Sequence, residues 1–165
     1  MQIAVISDIH DNLANLEKCL TWCRQNKISQ IICCGDITTL DTLSYLAHNF
    51  LGEIFLVAGN TEIYQESELS KFKNINYYGE IGHKKIGNLN IAFCHEPKKL
   101  KKIQELSALN LDFIFYGHTH QPWLEKNNNL IIANPGTVAG TFSQATFATL
   151  DTDSRELTLK IIADL

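Results

Sequence analysis

The chain has 165 residues, 45% of them hydrophobic and 19% charged, with only 3 Pro and 9 Gly. That composition suits one folded domain with its own core, and it excludes disorder and low-complexity repeats. With 14 Lys and Arg against 18 Asp and Glu, the net charge is −4, which excludes nucleic-acid binding through bulk positive charge.

Residues 2–7 (QIAVIS) form a short β-branched run, the pattern of a buried strand. Residues 12–25 carry Leu13, Leu16, Cys19, Leu20 and Cys23 at helical spacing. A second buried strand is predicted at 30–34, a second helix at 40–50 and a third strand at 53–58. This β-α-β-α-β opening predicts a parallel sheet with right-handed crossovers. Residues 61–72 read as loop with a short helix. Strands follow at 76–80, 84–86 and 89–94, the last two joined by a Gly87-Asn88 turn. A helix is predicted at 98–109, with Leu100, Ile103, Leu106 and Leu109 apolar, then a buried strand at 112–116. Two hairpins close the chain, pairing 123–126 with 130–133 and 145–150 with 156–162. The sum is one α/β domain over 1–165, in which a mixed sheet or two stacked sheets carry helices outside.

Polar side chains recur just past the predicted strand ends. Asp8 and His10 follow the first strand, Asp36 the second and Asn60 the third. His95 follows the strand ending at Cys94, and His118 and His120 follow the one ending at Tyr116. This carboxyl edge is where open α/β sheets bind ligands. Asp8-Ile9-His10 and His118-Thr119-His120 are i, i+2 pairs, which extended chain would place on one side, aimed at one region. Gly35, Gly59 and Gly117 precede Asp36, Asn60 and His118, as tight turns and close backbone approach require. Two carboxylates, one amide and four imidazoles, with no thiolate, suit Mn, Fe, Zn, Co or Ni over Mg or Ca. Seven side chains exceed the needs of one ion and suit two that share a carboxylate.

These motifs, D-x-H, G-D, G-N, a separate His and G-H-x-H, resemble the calcineurin-like metallophosphoesterase superfamily over residues 2–137. The opening ISDIHDNLANLE is similar to its small YfcE-like phosphodiesterase branch. The resemblance implies a four-layer α-β-β-α sandwich of two stacked mixed sheets. It implies two divalent transition-metal ions, manganese foremost. Asp8, His10, Asp36 and His120 would hold the first ion, Asp36 would bridge, and Asn60, His95 and His118 would complete the second. Asp36, Asn60 and His95 would position metal and phosphate for catalysis. The implied reaction is hydrolysis of small phosphodiesters by in-line attack of a metal-bridging hydroxide. One departure stands out. Many relatives place His directly after the metal-binding Asn, where it protonates the leaving group; here Thr61 and Glu62 follow. Thr is no acid near neutral pH, so slow turnover or good leaving groups are expected, with Glu62 a candidate acid acting through water.

The other features have plainer readings. His48 and His83 are expected on the surface, and Lys98, Lys99, Lys101 and Lys102 on a solvated helix face with Lys101 paired to Glu105. The five Cys read as reduced core thiols, and Cys33 and Cys34 lie where they can support Asp36. Trp123, Tyr77 and Tyr78 read as packing or interface residues, and 134–137 as a turn beside the site. No apolar run is long enough to span a membrane and no secretory leader is recognised, so a cytoplasmic location is expected. A homo-oligomer is compatible with the sequence. Two further readings stay open: a non-catalytic protein-interaction scaffold of the same superfamily, and a phosphomonoesterase.

Overall fold

The computed structural model describes residues 1–105 and 110–165. It opens with β1 (Gln2–Ile6), α1 (Leu13–Gln25), β2 (Gln30–Cys33), α2 (Leu40–Asn49) and β3 (Glu53–Leu56). The three strands pair in parallel and are buried beyond their first residue, which is why their sequences run apolar without alternation. Each helix starts at a capping side chain. Asn12 accepts from the Asn15 N–H and Thr39 from the Thr42 N–H.

β4 (Ile75–Tyr77) adds a fourth parallel strand beside β3. The strand predicted at 76–80 therefore starts one residue earlier, stops at Tyr77 and belongs with the opening sheet. Gly79, at φ +65°, turns the chain away from it. β5 (Ile81–Ile86) and β6 (Leu89–Cys94) then form the expected hairpin across Gly87-Asn88. β5 is longer than the predicted 84–86, because Gly82 leaves its space to the Phe93 ring, where a Cβ would collide. His83 consequently lies half-buried inside β5 rather than on the surface, and its Nε2 is shut off from solvent.

A tight turn at Pro97–Lys99 leads into α3 (Leu100–Gln104). The predicted helix at 98–109 is thus short where it is described; its Leu106 and Leu109 lie outside the described residues. Among the described residues no ion pair joins Lys101 to Glu105. Lys98 Nζ lies 2.6 Å from Glu96 Oε1 instead, and Lys99 Nζ 3.1 Å from Glu80 Oε1. β7 (Phe113–Phe115), β8 (Trp123–Asn127), β9 (Leu130–Asn134), β10 (Thr146–Asp151) and β11 (Leu157–Ile161) complete the chain. Trp123 stands exposed at the start of β8.

The strands form two mixed sheets, ordered β11-β10-β1-β2-β3-β4 and β5-β6-β7-β9-β8. Ile3, Val5, Ile32 and Phe55 of the first pack on Ile91, Phe93, Phe113 and Phe115 of the second. α1 and α2 cover the far face of the first sheet, and Ile103 of α3 covers that of the second. This is the expected α-β-β-α sandwich. Each fully buried Phe or Ile contributes about 1.5–3 kcal/mol, so the sheet–sheet layer fixes how the two sets of strand ends face each other. No helix among the described residues is long and apolar enough to cross a membrane.

Candidate metal centre

β1, β2 and β3 end at one edge of the sandwich, and β6 and β7 of the other sheet end beside them. Backbone hydrogen bonds join the loops that follow. Asp8 N donates to Gly35 O at 3.1 Å, Ile9 N to Asp36 O at 2.8 Å, and Gly117 N to His95 O at 3.0 Å. The i, i+2 pairs are not extended here. Asp8, His10, Asp36, His118 and His120 all have φ between +42° and +69°. That region costs non-glycine residues energy, and such strain concentrates at functional sites.

Asp8 Oδ1 lies 3.3 Å from His120 Nε2 and 3.8 Å from His10 Nε2, and these two nitrogens are 3.1 Å apart. Asp36 Oδ2 lies 3.6 Å from His10 Nε2 and 3.3 Å from His95 Nε2. Asn60 Oδ1 lies 2.8 Å from His95 Nε2 and 2.7 Å from His118 Nδ1. All seven predicted side chains thus come together. They form two groups that meet at Asp36 Oδ2: Asp8, His10 and His120 on one side, Asn60, His95 and His118 on the other. His118 and His120 reach the same centre but face its two different groups. The left-handed turns at both residues send the rings apart.

The donor chemistry fits cations. His95 Nδ1 lies 2.8 Å from Cys34 O and His120 Nδ1 3.1 Å from Thr141 O. A carbonyl only accepts, so each Nδ1 carries the hydrogen and each neutral ring turns the Nε2 lone pair toward the site. Those lone pairs face carboxylate oxygens at 3.3 Å. Two acceptors so placed repel unless a positive charge sits between them. Ligands about 2.0–2.2 Å from a shared ion stand roughly 3 Å apart, the spacing seen here.

The carboxylates also raise the pKa of two of the imidazoles, His10 and His95. The nearby Asp8 carboxylate raises the His10 pKa, with burial opposing it and the Asp36 charge adding to it. Burial pulls the His95 pKa down, but the Asp36 carboxylate beside it more than offsets that. Burial likewise works to raise the Asp36 pKa, yet His95 and the Asn60 and Thr61 N–H groups hold it at about 2, below its ordinary 3.8. A lowered carboxylate pKa contributes stability above the unfolded value, and that stability is lost as pH falls through the folded one. We expect urea denaturation of the metal-free protein to show a drop of about 2 kcal/mol from this group between pH 4 and 2. In Asp36→Asn the drop should shrink by that amount.

Sequence reasoning missed the groups that hold these donors. Cys34 supports the site through its backbone carbonyl, on His95 rather than on Asp36. Glu62 is turned inward, its Oε1 accepting from Asp36 N at 2.8 Å and Ile37 N at 3.4 Å. A role as water-mediated acid does not fit that orientation, since the carboxylate clamps the Asp36 loop. Asp36 Oδ1 accepts from Asn60 N at 2.7 Å and Thr61 N at 3.1 Å, and a Cβ on Gly59 would collide with it. Asn134 Nδ2 donates to Gly117 O at 2.9 Å and Thr119 Oγ1 at 3.0 Å, fixing the turn that carries His118 and His120. Thr137 Oγ1 donates to Asp8 O at 2.8 Å. The Asn-Pro-Gly-Thr turn is the one readable signal among these.

The chain matches the calcineurin-like phosphoesterase superfamily domain over residues 1–155. It belongs to that superfamily. The phosphodiesterase MJ0936 of Methanocaldococcus jannaschii is 26% identical over 160 residues, covering 94% of this chain and 96% of its own. A solved archaeal phosphodiesterase superposes with a TM-score of 0.87 at 24% identity, covering 98% of this chain and 99% of that one. Vacuolar protein sorting-associated protein 29 of Schizosaccharomyces pombe is 28% identical over 148 residues, 85% of this chain and 73% of its own. As a calcineurin-like chain, this one buries Asp8, Asp36 and His95 and leaves Asn60 and His118 exposed, so the centre is closed below and open at one rim.

Proposed function

We propose that the protein is a dinuclear metal-dependent phosphodiesterase of small substrates. The observation that carries this reading is the pair of nitrogen and oxygen donor groups meeting at Asp36 Oδ2. Asp8, His10, Asp36 and His120 would hold one divalent ion, and Asp36, Asn60, His95 and His118 the other. Manganese is the first candidate, with Fe, Zn, Co or Ni as alternatives. Such ions supply charge stabilisation to phosphoryl oxygens and an activated water.

The chain's own contribution is placement. Cys34 O and Thr141 O fix the tautomers of His95 and His120, and the Asn60 and Thr61 N–H groups fix the Asp36 carboxylate. Asn60 and His118 form the rim that a phosphate meets first. The position after Asn60 offers no acid for the leaving group: the Thr61 hydroxyl is 3.2 Å from Thr38 Oγ1 and does not ionise near neutral pH. Leaving groups that depart as anions are therefore favoured.

Bis-p-nitrophenyl phosphate tests the reading. With added Mn²⁺ we expect hydrolysis faster than that of p-nitrophenyl phosphate, lost on chelation and restored by the metal. A folded, metal-loaded protein that is inert with Mn, Fe, Zn, Co and Ni alike would instead support a protein-interaction scaffold. The similarity to the sorting protein motivates that rival, and retention of all seven donors argues against it. The reading places the enzyme in the cytoplasm as a single 1–165 domain, with its five Cys buried and unpaired.

A further inference from the structure

Phe142 is 93% exposed although it stands beside the candidate centre. Its ring centroid lies 5.8 Å from that of His120, with the planes tilted by 37°. Its backbone is held at φ +65°, an unusual state for a bulky side chain. Both neighbours explain how it is held. The Thr141 carbonyl accepts from His120 Nδ1 at 3.1 Å, and the Ser143 hydroxyl donates to the His120 carbonyl. One step back, Ala139 O accepts from Asn12 Nδ2 at 2.9 Å and Asn15 Nδ2 at 3.2 Å. The loop is therefore anchored to the imidazole that faces the centre, and the ring it presents is almost unused by the core.

An anchored aromatic ring with an open face beside a phosphate site is a stacking platform. Rings pair at centroid separations of about 4.5–7 Å, so an aryl group one oxygen away from a phosphorus near His120 falls within reach. We infer that Phe142 is a specificity-determining residue that stacks on an aromatic ring carried directly on the ester oxygen of the substrate, selecting aryl phosphoesters over alkyl ones. The inference rests on the phosphoesterase reading and names its substrate class. It agrees with the missing acid at Thr61, since aryl oxides leave readily without a proton.

Phenyl phosphate and methyl phosphate share the phosphate and differ by the ring. Each is titrated calorimetrically into the manganese-loaded protein. The wild type should bind phenyl phosphate about tenfold more tightly than methyl phosphate, a typical stacking effect. Phe142→Ala should abolish that preference and leave methyl phosphate affinity unchanged, while Phe142→Tyr should keep the preference. A wild type without the preference overturns the inference, and so does a preference that survives Phe142→Ala. Equal weakening of both ligands overturns it too, because the residue would then act through His120. Hydrolysis of bis-p-nitrophenyl phosphate reports separately on the phosphodiesterase reading: an active enzyme with no phenyl preference loses only the stacking, and an inert protein with the preference loses only the activity.

Discussion

Replacing Asp36 with Asn should lower bis-p-nitrophenyl phosphate hydrolysis by about 10³-fold or more while the protein stays folded. The argument comes from the two ends of the carboxylate. Oδ1 accepts N–H bonds at 2.7 and 3.1 Å from Asn60 and Thr61, so only an oxygen fits there. The amide of the substituted side chain would then turn its NH₂ toward His10 and His95, where Oδ2 stands 3.6 and 3.3 Å from their nitrogens. An NH₂ group offers no lone pair to a cation. The one atom shared by both donor groups would be lost, and metal stoichiometry measured by elemental analysis should fall with activity. Asp36→Ala should be equally inactive and less stable, because it also leaves two N–H groups without an acceptor. Near-normal turnover in either variant would sink the two-metal reading.

The second large effect is expected at Gly117, through space rather than charge. A Cβ there would collide with Ser7 Oγ and lie 2.8 Å from Asp8 Oδ2. Ser7 and Asp8 follow β1 of the first sheet, and Gly117 follows β7 of the second, so the added methyl group pushes the sheets apart where the donors converge. Overpacking of this kind costs about 1–3 kcal/mol. Activity should fall further, about 100-fold, because displacements near 1 Å degrade reacting geometry on that scale. Gly79→Ala is the control. A Cβ there meets nothing within 4 Å, so it carries only the left-handed backbone cost, and activity should remain within about twofold. A Gly117→Ala enzyme as active as the control would contradict the steric account.

The legible parts of this fold are those where side chains carry the signal. β1, β2 and β3 read as continuous apolar runs because both their faces are covered. The helices read from Leu16, Leu20, Leu43 and Leu46, and the hairpin from Gly87-Asn88. The seven polar side chains can be placed at strand ends because topology alone brings parallel strand ends together. Backbone groups carry no such signal. Nothing in the residue type announces that the carbonyls of Cys34 and Thr141 orient two imidazoles. Nor does it reveal that His118 and His120 diverge, since that follows from φ values of +69° and +59° that histidine rarely adopts. Glu62 escapes sequence reasoning for a related reason: its carboxylate is turned inward by the Asp36 N–H, a partner 26 positions away in sequence. β4 is hard to assign to a sheet because a three-residue strand has too few positions to reveal which neighbours it joins.

The two sheets do not contribute alike to the centre. Asp8, His10, Asp36 and Asn60 come from loops of the first sheet, and His95, His118 and His120 from the second. On the proposed reading, the ions rivet one half of the sandwich to the other across their seam. An ion present at 100 times its Kd would then add about 2.7 kcal/mol to the folded state by mass action. Metal supply would thus govern the lifetime of the chain as well as its turnover. A cell starved of the ion would hold fewer copies, because the seam opens to proteases more often.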